Sequence, residues 1–294
     1  MDNQDWLAEQ FDTNRTHLRA VAYRMLGSLS EADDAVQESW LRVSRADTSA
    51  VANLGGWLTT IVGRVCLDML RSRRSRREES LETYVPDPIL SREDAIDPEQ
   101  EALLADSIGL GLLVVLDTLA PTERLVFVLH DVFAVSFEEI APIVGRSPAA
   151  TRQLASRARR RVRGEAAVPD ADVVRQREVV QAFLAAAREG NFDRLVEVLD
   201  PDVVLRGDGG DQRPDLTRVI RGAANVARQA LTFSQPAAVT YPALVNGAAG
   251  LLVAPGGEPL SVLAFTVTQG RIVQIDVLAD PERLRQLDLT ILDQ

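Results

Sequence analysis

The sequence contains no lysine, so all 32 of its basic side chains are arginines. It has a single cysteine, Cys66, which excludes an internal disulfide and any CxxC metal or redox motif. Its two histidines, His17 and His130, lie far apart inside apolar-periodic segments. A lone histidine in that setting is more often structural than a ligand or general base. No run of about 18 apolar residues occurs, so no membrane-crossing helix is expected. The opening Met1-Asp2-Asn3-Gln4-Asp5 lacks the basic start and apolar stretch of an export signal, which makes the cytoplasm the expected compartment. Neither a metal nor a cofactor is expected.

The net charge of −11 argues, taken alone, against a polyanionic partner. Its distribution reverses the argument. Arg64 to Arg77 holds six arginines against one acid, Asp68, and Arg146 to Arg163 holds seven arginines and no acid. Between them, Glu78 to Glu123 is rich in carboxylates, with Arg92 as its cation. Net charge speaks to solubility, whereas local basic patches speak to binding. Two basic helices separated by an acidic linker fit two contacts with one polyanion.

The 294 residues favour two or three domains. From about Asp12 to Arg77 the pattern is helical. Leu18, Val21, Ala22, Met25 and Leu26 recur at helical spacing, and Gly27 ends that run. Ser30, with Asp33 three residues on, is the expected cap of the next helix. That helix carries Ala35, Val36, Ser39, Trp40 and Val43 on one face and Asp34, Gln37, Glu38 and Arg42 on the other. A polar loop, Ala46 to Gly56, precedes a third helix beginning near Trp57. There Leu58, Ile61, Val62, Val65 and Met69 form the apolar stripe. Pro86, Pro88 and Pro98 among many acids mark a linker, yet Leu81 to Leu90 is more apolar than a plain linker requires. Ala102 to Gly164 is helical again. Beyond the short linker Val168-Pro169-Asp170, two helices (Val173–Glu189 and Phe192–Leu199) precede strand-like runs at 203–206, 238–245, 248–253, 260–268 and 271–278. Asn246-Gly247 and Gln269-Gly270 are hairpin signals. Helices followed by strands indicate an α+β domain.

Ser136 and Glu139 form a capping box, and Gly145 suits a left-handed helix end. Ser147 then caps a second helix with Pro148 at its first position. Pro142 lies inside the first helix, so that helix is expected to be short or kinked. In the second helix Thr151, Leu154, Ala155, Ala158 and Val162 share one face. Arg152, Ser156, Arg159, Arg160 and Arg163 share the other, flanked by Gln153 and Arg157. Such a helix-turn-helix suits the DNA major groove, where arginine pairs with guanine and glutamine with adenine. The plainer reading is a helical hairpin with a solvated basic face. Arg64 to Arg77 has a plainer reading too, as arginines favoured by a helix C-terminus.

These motifs carry a resemblance. Gln37-Glu38-Ser39-Trp40-Leu41-Arg42, Trp57-Leu58-Thr59-Thr60-Ile61 and Asp68-Met69-Leu70-Arg71 look like the sigma-two domain of extracytoplasmic-function sigma factors. Leu119 with Arg124-Leu125-Val126-Phe127, Glu139-Ile140-Ala141 and Arg157-Ala158-Arg159 look like their sigma-four domain. The resemblance implies a protein that binds core RNA polymerase, through its β′ clamp helices and β flap, and promoter DNA. It places Asp34, Gln37, Glu38 and Arg42 on polymerase. It gives the −10 element to Asn53 in the polar loop and to Arg64, Arg71, Arg73 and Arg74 after it. It gives the −35 element to Arg152, Gln153, Ser156, Arg157, Arg159 and Arg160. Arg64 departs from the family, where many members carry asparagine.

Glu189-Gly190-Asn191-Phe192-Asp193 and Leu199-Asp200-Pro201-Asp202-Val203 resemble a SnoaL-like domain, an α+β cone-shaped barrel. Sigma factors with that extension form the SigJ-like class. Its Trp-Leu-Pro-Glu-Pro linker motif corresponds to Tyr84-Val85-Pro86-Asp87-Pro88 here, and its Asp-Gly-Gly-Gly motif to Asp208-Gly209-Gly210-Asp211. Its Asn-Pro-Asp-Lys-Leu motif corresponds to Asp280-Pro281-Glu282-Arg283-Leu284. The resemblance implies a regulatory contact within the chain through Tyr84, Pro86, Pro88, Asp208, Gly209, Gly210, Asp280 and Pro281. The expected architecture is therefore multidomain: two all-α domains, a helical bundle (1–77) and a helix-turn-helix domain (102–165), then an α+β SnoaL-like domain (172–294). Linkers at 78–101 and 166–171 join them. Asp208, Asp211 and Asp276 are the available general bases should that domain be catalytic, but it has no histidine, and fold does not dictate function. A contact role without catalysis is preferred. A stand-alone helix-turn-helix regulator with a domain sensing a small-molecule ligand, or a SnoaL-like enzyme fused to a DNA-binding module, are the alternatives.

Overall fold

A computed structural model describes residues 3–48, 51, 53–76, 83–91, 109–167, 169–233 and 239–289, with only the backbone of 3–4, 74–76, 165 and 233. The acidic linker expected at 78–101 thus lies outside the described residues except for 83–91. Among the described residues the chain forms two compact units. The first comprises the residues up to 76 and 115–165, and the second comprises 83–91, 109–114 and those from 166 onward.

The first unit opens with helix α1 (Asn3–Leu26), which ends where Gly27 turns left-handed at φ 70°. That turn leaves Ser28 extended, so Ser28 and not the expected Ser30 caps α2 (Leu29–Val43), its side chain accepting from the Glu31 amide. Helix α3 (Leu54–Arg76) starts three residues before Trp57, because the Asn53 carboxamide accepts the Gly56 amide at 3.1 Å and fixes the first turn. Leu58, Val62 and Val65 are buried as the stripe predicts, but so are Cys66, Leu67 and Leu70. A helix buried on more than one side needs neighbours on both. The second neighbour is α5 (Pro121–Phe127) with the π-helical turn that extends it (Val128–Val132). It meets α3 at Gly63, where an added Cβ would stand 3.0 Å from Leu129 and 3.2 Å from Leu125.

Helix α4 (Leu110–Thr118) precedes α5 and contributes residues to both units. Helix α6 (Phe137–Val144) carries the expected capping box of Ser136 and Glu139 and ends at Gly145 with φ 65°. Pro142 lies inside it, and it stops after eight residues, in keeping with the missing amide. Helix α7 (Pro148–Glu165) follows, its first turn held by Ser147 Oγ, which accepts the Ala150 amide at 3.2 Å.

The second unit is α+β. Helices α8 (Val173–Arg188) and α9 (Phe192–Val198) lead into strand β2 (Leu199–Asp208). Then come β3 (Arg218–Arg221), α10 (Ala223–Phe233), β4 (Thr240–Val245), β5 (Ala248–Val253), β6 (Ser261–Thr268) and β7 (Arg271–Leu278), with the short helix α11 (Pro281–Leu284) at the end. The sheet has one more strand, β1 (Leu90–Ser91), and its order is β1-β4-β5-β6-β7-β2-β3. Its pairings are antiparallel except β2 with β7. Val180, Phe183, Leu195 and Val226 from the helices form one buried cluster with Leu251, Phe265 and Ile275 of the sheet. Both predicted hairpin turns are present, with left-handed Asn246-Gly247 (φ 49° and 79°) and Gln269-Gly270 (φ 53° and 74°). Strand β3 and helix α10 are additions to the elements expected from the sequence.

Candidate functional site

Helix α2 turns Asp34, Gln37, Glu38 and Arg42 to solvent, all on the face opposite its buried Ala32, Ala35, Val36, Ser39 and Val43. Between α2 and α3 lies an open groove of ≈ 510 Å³ lined by Glu38, Arg42, Val65, Asp68, Met69 and Arg73, among others. Arg42 Nε donates to Glu38 Oε1 at 3.0 Å and Arg42 Nη1 lies 3.6 Å from Asp68. The groove therefore has an apolar floor and a charged rim, which is how a protein partner is met.

The expected −10 residues do not form one constellation. Asn53 is spent on capping α3. Arg64 and Arg71 are exposed on that helix. Arg73 pairs with Glu31 and donates to the Leu26 carbonyl at 3.1 Å, ties that hold α3 to the α1–α2 corner. The Arg74 side chain lies outside the described residues.

The expected −35 residues do share one surface. Thr151, Ala155, Ala158 and Val162 bury one face of α7, leaving Arg152, Gln153, Ser156, Arg157 and Arg160 exposed. Arg152 and Arg159 are held from outside the helix. Arg152 Nη2 donates to Glu138 Oε1 at 2.8 Å, and Arg159 Nε to Asp131 Oδ1 at 2.5 Å. Asp131 belongs to the π-helical turn, a distortion frequent at functional sites.

The third cluster lies within the second unit, where residues 84–91 are seated on the sheet. Strand β1 pairs antiparallel with β4, Leu90 opposite Val245 and Ser91 opposite Leu244. The Ile89 amide donates to Asn246 Oδ1 at 3.0 Å and the Asn246 amide to the Ile89 carbonyl at 2.9 Å. Pro86 and Pro88 are buried. Asp208, at the end of β2, accepts the Val85 amide at 3.0 Å and Arg283 Nη1 at 2.8 Å. Arg283 also pairs with Asp87, donates to the Val85 carbonyl at 2.6 Å and lies 4.9 Å above the Tyr84 ring. Burial acts against the Arg283 charge, but Tyr84, Asp87 and Asp208 outweigh it and raise its pKa above the ordinary arginine value.

The remaining motif residues shape this cluster. The Gly209 amide donates to Thr217 Oγ1 at 3.1 Å, and a Cβ there would strike the Arg213 carbonyl. Gly210 is left-handed, and a Cβ there would strike the Asp280 carboxylate. Asp280 caps α11 by accepting the Glu282 amide at 2.8 Å, and Pro281 occupies the first helical position, so both aim Arg283. The departures from the family motif are accommodated: Asp280 caps as asparagine would, and Asp211 is exposed. Of the three candidate bases, Asp276 is buried against Arg206 at 2.8 Å and Gln274 at 2.7 Å, and burial pushes its carboxyl up against the pull of those two.

Residues 10–76 match the family model for sigma-70 region 2 and residues 110–162 that for sigma-70 region 4. A crystal structure of the extracytoplasmic-function sigma factor SigJ from Mycobacterium tuberculosis matches with a TM-score of 0.77 at 36% identity, over 96% of this chain and 99% of that one. A probable sigma factor of M. tuberculosis, SigI, is 33% identical over 98% of both chains. The sequence of M. tuberculosis SigJ is 39% identical over 287 residues, covering 93% of this chain and 92% of the relative.

The chain belongs to the extracytoplasmic-function sigma factors of RNA polymerase. Such a sigma factor directs transcription initiation, and its two sigma regions imply binding to core polymerase and promoter DNA. Among the described residues, no helix of this sigma factor is long and apolar enough to cross a membrane. Tyr84, Asp208 and Asp280 are expected from the motifs at the linker contact, whereas Arg283, Asp87 and Asn246 join it without having been among the expected residues. For the first two the signal was available: Asp87 and Arg283 carry opposite charges in two motifs already paired by the resemblance. For Asn246 it was not, since its turn signal masks its second use.

Proposed function

We propose that this sigma factor is regulated by its own C-terminal domain, which grips the linker between the sigma regions. The observation that carries the reading is the Arg283 cluster, which ties Tyr84, Val85 and Asp87 of the linker to Asp208. A partly buried cluster of paired charges is costly to form without a use and specific once formed. The functional division follows the sequence: 1–77 engages polymerase and the −10 element, 102–165 the −35 element, and 172–294 regulates. Asp34, Gln37, Glu38 and Arg42 line or flank the groove that receives the β′ clamp helices, and the sigma-four domain meets the β flap. The C-terminal domain acts by contact and not by turnover, since Asp208 and Asp276 are already committed to Arg283 and Arg206. The protein works in the cytoplasm, where its polymerase is.

The test is run-off transcription with purified core polymerase. Glu38→Arg removes output by reversing charge in the groove. Arg283→Met, in the full chain, raises output several-fold by freeing the linker. Unchanged output in Arg283→Met would sink the regulatory reading while leaving the sigma assignment intact.

A further inference from the structure

We infer that Glu138 is a positioning residue for −35 recognition, holding Arg152 in the orientation that reads a base. The inference rests on the reading of α7 as the −35 helix and deepens it. Arg152 sits at the start of α7, where a recognition helix reaches base edges. Its guanidinium is fixed in two directions. Glu138 of α6 accepts from Nη2 at 2.8 Å, and the Phe137 ring lies beneath it, 5.5 Å from Cζ to the ring centroid. Phe137 is in turn stacked on His130, with centroids 3.8 Å apart and planes at 30°. His130 Nδ1 lies 2.9 Å from the Val135 carbonyl, which ties the stack to the loop before α6. The order imidazole, phenyl, guanidinium thus runs from the π-helical turn to the recognition helix. The capping box fixes the base of the stack, because Ser136 and Glu139 set the first turn of α6 that carries both Phe137 and Glu138.

The chemistry requires such a support. A bidentate arginine–guanine pair needs the planar fork presented edge-on, and it discriminates against the wrong base by about ten- to a hundredfold. A free arginine loses rotamer freedom when it docks, which offsets part of that gain. An arginine already stacked and hydrogen-bonded loses less. One carboxylate on Nη2 does not exhaust the fork, since a guanidinium has five N–H donors. As an exposed pair, Glu138–Arg152 adds little to folding stability, so its removal is a clean probe of recognition.

The experiment uses holoenzyme made from the full chain and core polymerase, binding promoter DNA in competition with variants altered one base at a time across the −35 element. Arg152→Ala locates the base position that Arg152 reads. At that position Glu138→Ala lowers discrimination by about three- to tenfold, while affinity for DNA lacking the −35 element changes by less than about twofold. Glu138→Gln, which keeps an acceptor oxygen, retains most of the discrimination. Full discrimination in Glu138→Ala, where Arg152→Ala has lost it, overturns the positioning role. Tighter binding by Glu138→Ala overturns it as well, since Glu138 would then be a competitor for Arg152. No effect of Arg152→Ala at any position removes Arg152 as a base reader, and the inference falls with it while the −35 reading of α7 stands.

Discussion

Among the described residues Arg124 is the largest fully buried side chain, at 2% exposure, and it lies in a segment otherwise made of Leu125, Val126 and Phe127. Its charge is met by Asp117, itself buried, and its Nε and Nη2 donate to the Arg24 carbonyl at 3.3 and 3.2 Å. Arg24 belongs to α1 and Arg124 to α5, so one guanidinium ties the helices of both sigma regions within the first unit. A buried ion pair contributes little net stability compared with an apolar isostere, yet breaking it on one side leaves a stranded charge. Arg124→Met is therefore expected to cost about 3–5 kcal/mol, because Asp117 stays buried without its partner. Arg124→Met combined with Asp117→Leu should recover most of that loss. Urea denaturation of the native chain and these two variants measures it. Equal stability of single and double variants would show that Asp117 finds another partner. The same burial pushes the neighbouring Cys66 thiol well above its ordinary pKa, which leaves it an inert core residue.

At the scale of elements, the β6–β7 hairpin shows how local signals and distant anchors combine. Gln269-Gly270 marked the turn in the sequence, and its two left-handed residues are what a two-residue hairpin requires. The sequence did not show that the turn is also held from outside. Asp170, in what read as a plain linker, accepts the Gln269 and Gly270 amides at 2.9 Å each, and its own amide donates to the Val267 carbonyl at 2.8 Å. The amides of Gly270 and Gln269 hold the Asp170 carboxyl below its usual pKa. A carboxylate with a lowered folded-state pKa adds stability above its unfolded pKa, about 3.9, and loses it as pH falls through the folded value. The melting temperature of Asp170→Ala should thus lie below that of the native chain at pH 7. The gap should narrow in acid, closing as the native carboxylate takes its proton. Thermal melts across that range decide it, and a gap constant down to the lowest pH would show that the charge plays no part.

At the scale of the whole chain, what was legible was whatever the sequence encodes locally. The capping box of Ser136 and Glu139, the left-handed Gly145 and the Asn246-Gly247 turn all depend on neighbours within a few residues, and each forms as read. The exposed face of α2 and the basic face of α7 follow from helical periodicity alone. The candidate site was legible only as motifs, since Asp87 and Arg283 meet across 196 positions of chain and no local pattern joins them. The same holds for the linker strand. Leu90 and Ser91 pair with β4 across more than 150 residues, and an apolar island between acids was its single trace. This strand addition can be probed apart from the Arg283 cluster through Asn246, whose carboxamide accepts the Ile89 amide while its backbone makes the hairpin turn. Asn246→Gly keeps a turn sequence suited to left-handed residues and removes the carboxamide that accepts the Ile89 amide. One hydrogen bond is worth about 1 kcal/mol net, so local opening of the linker should become roughly fivefold more frequent. Hydrogen exchange of the full chain then shows faster exchange in the peptide covering 83–91, with β4 and β5 protected as before. If 83–91 exchanges at its native rate in Asn246→Gly, the carboxamide does not hold the linker, and the Arg283 cluster and the remaining backbone pairing suffice.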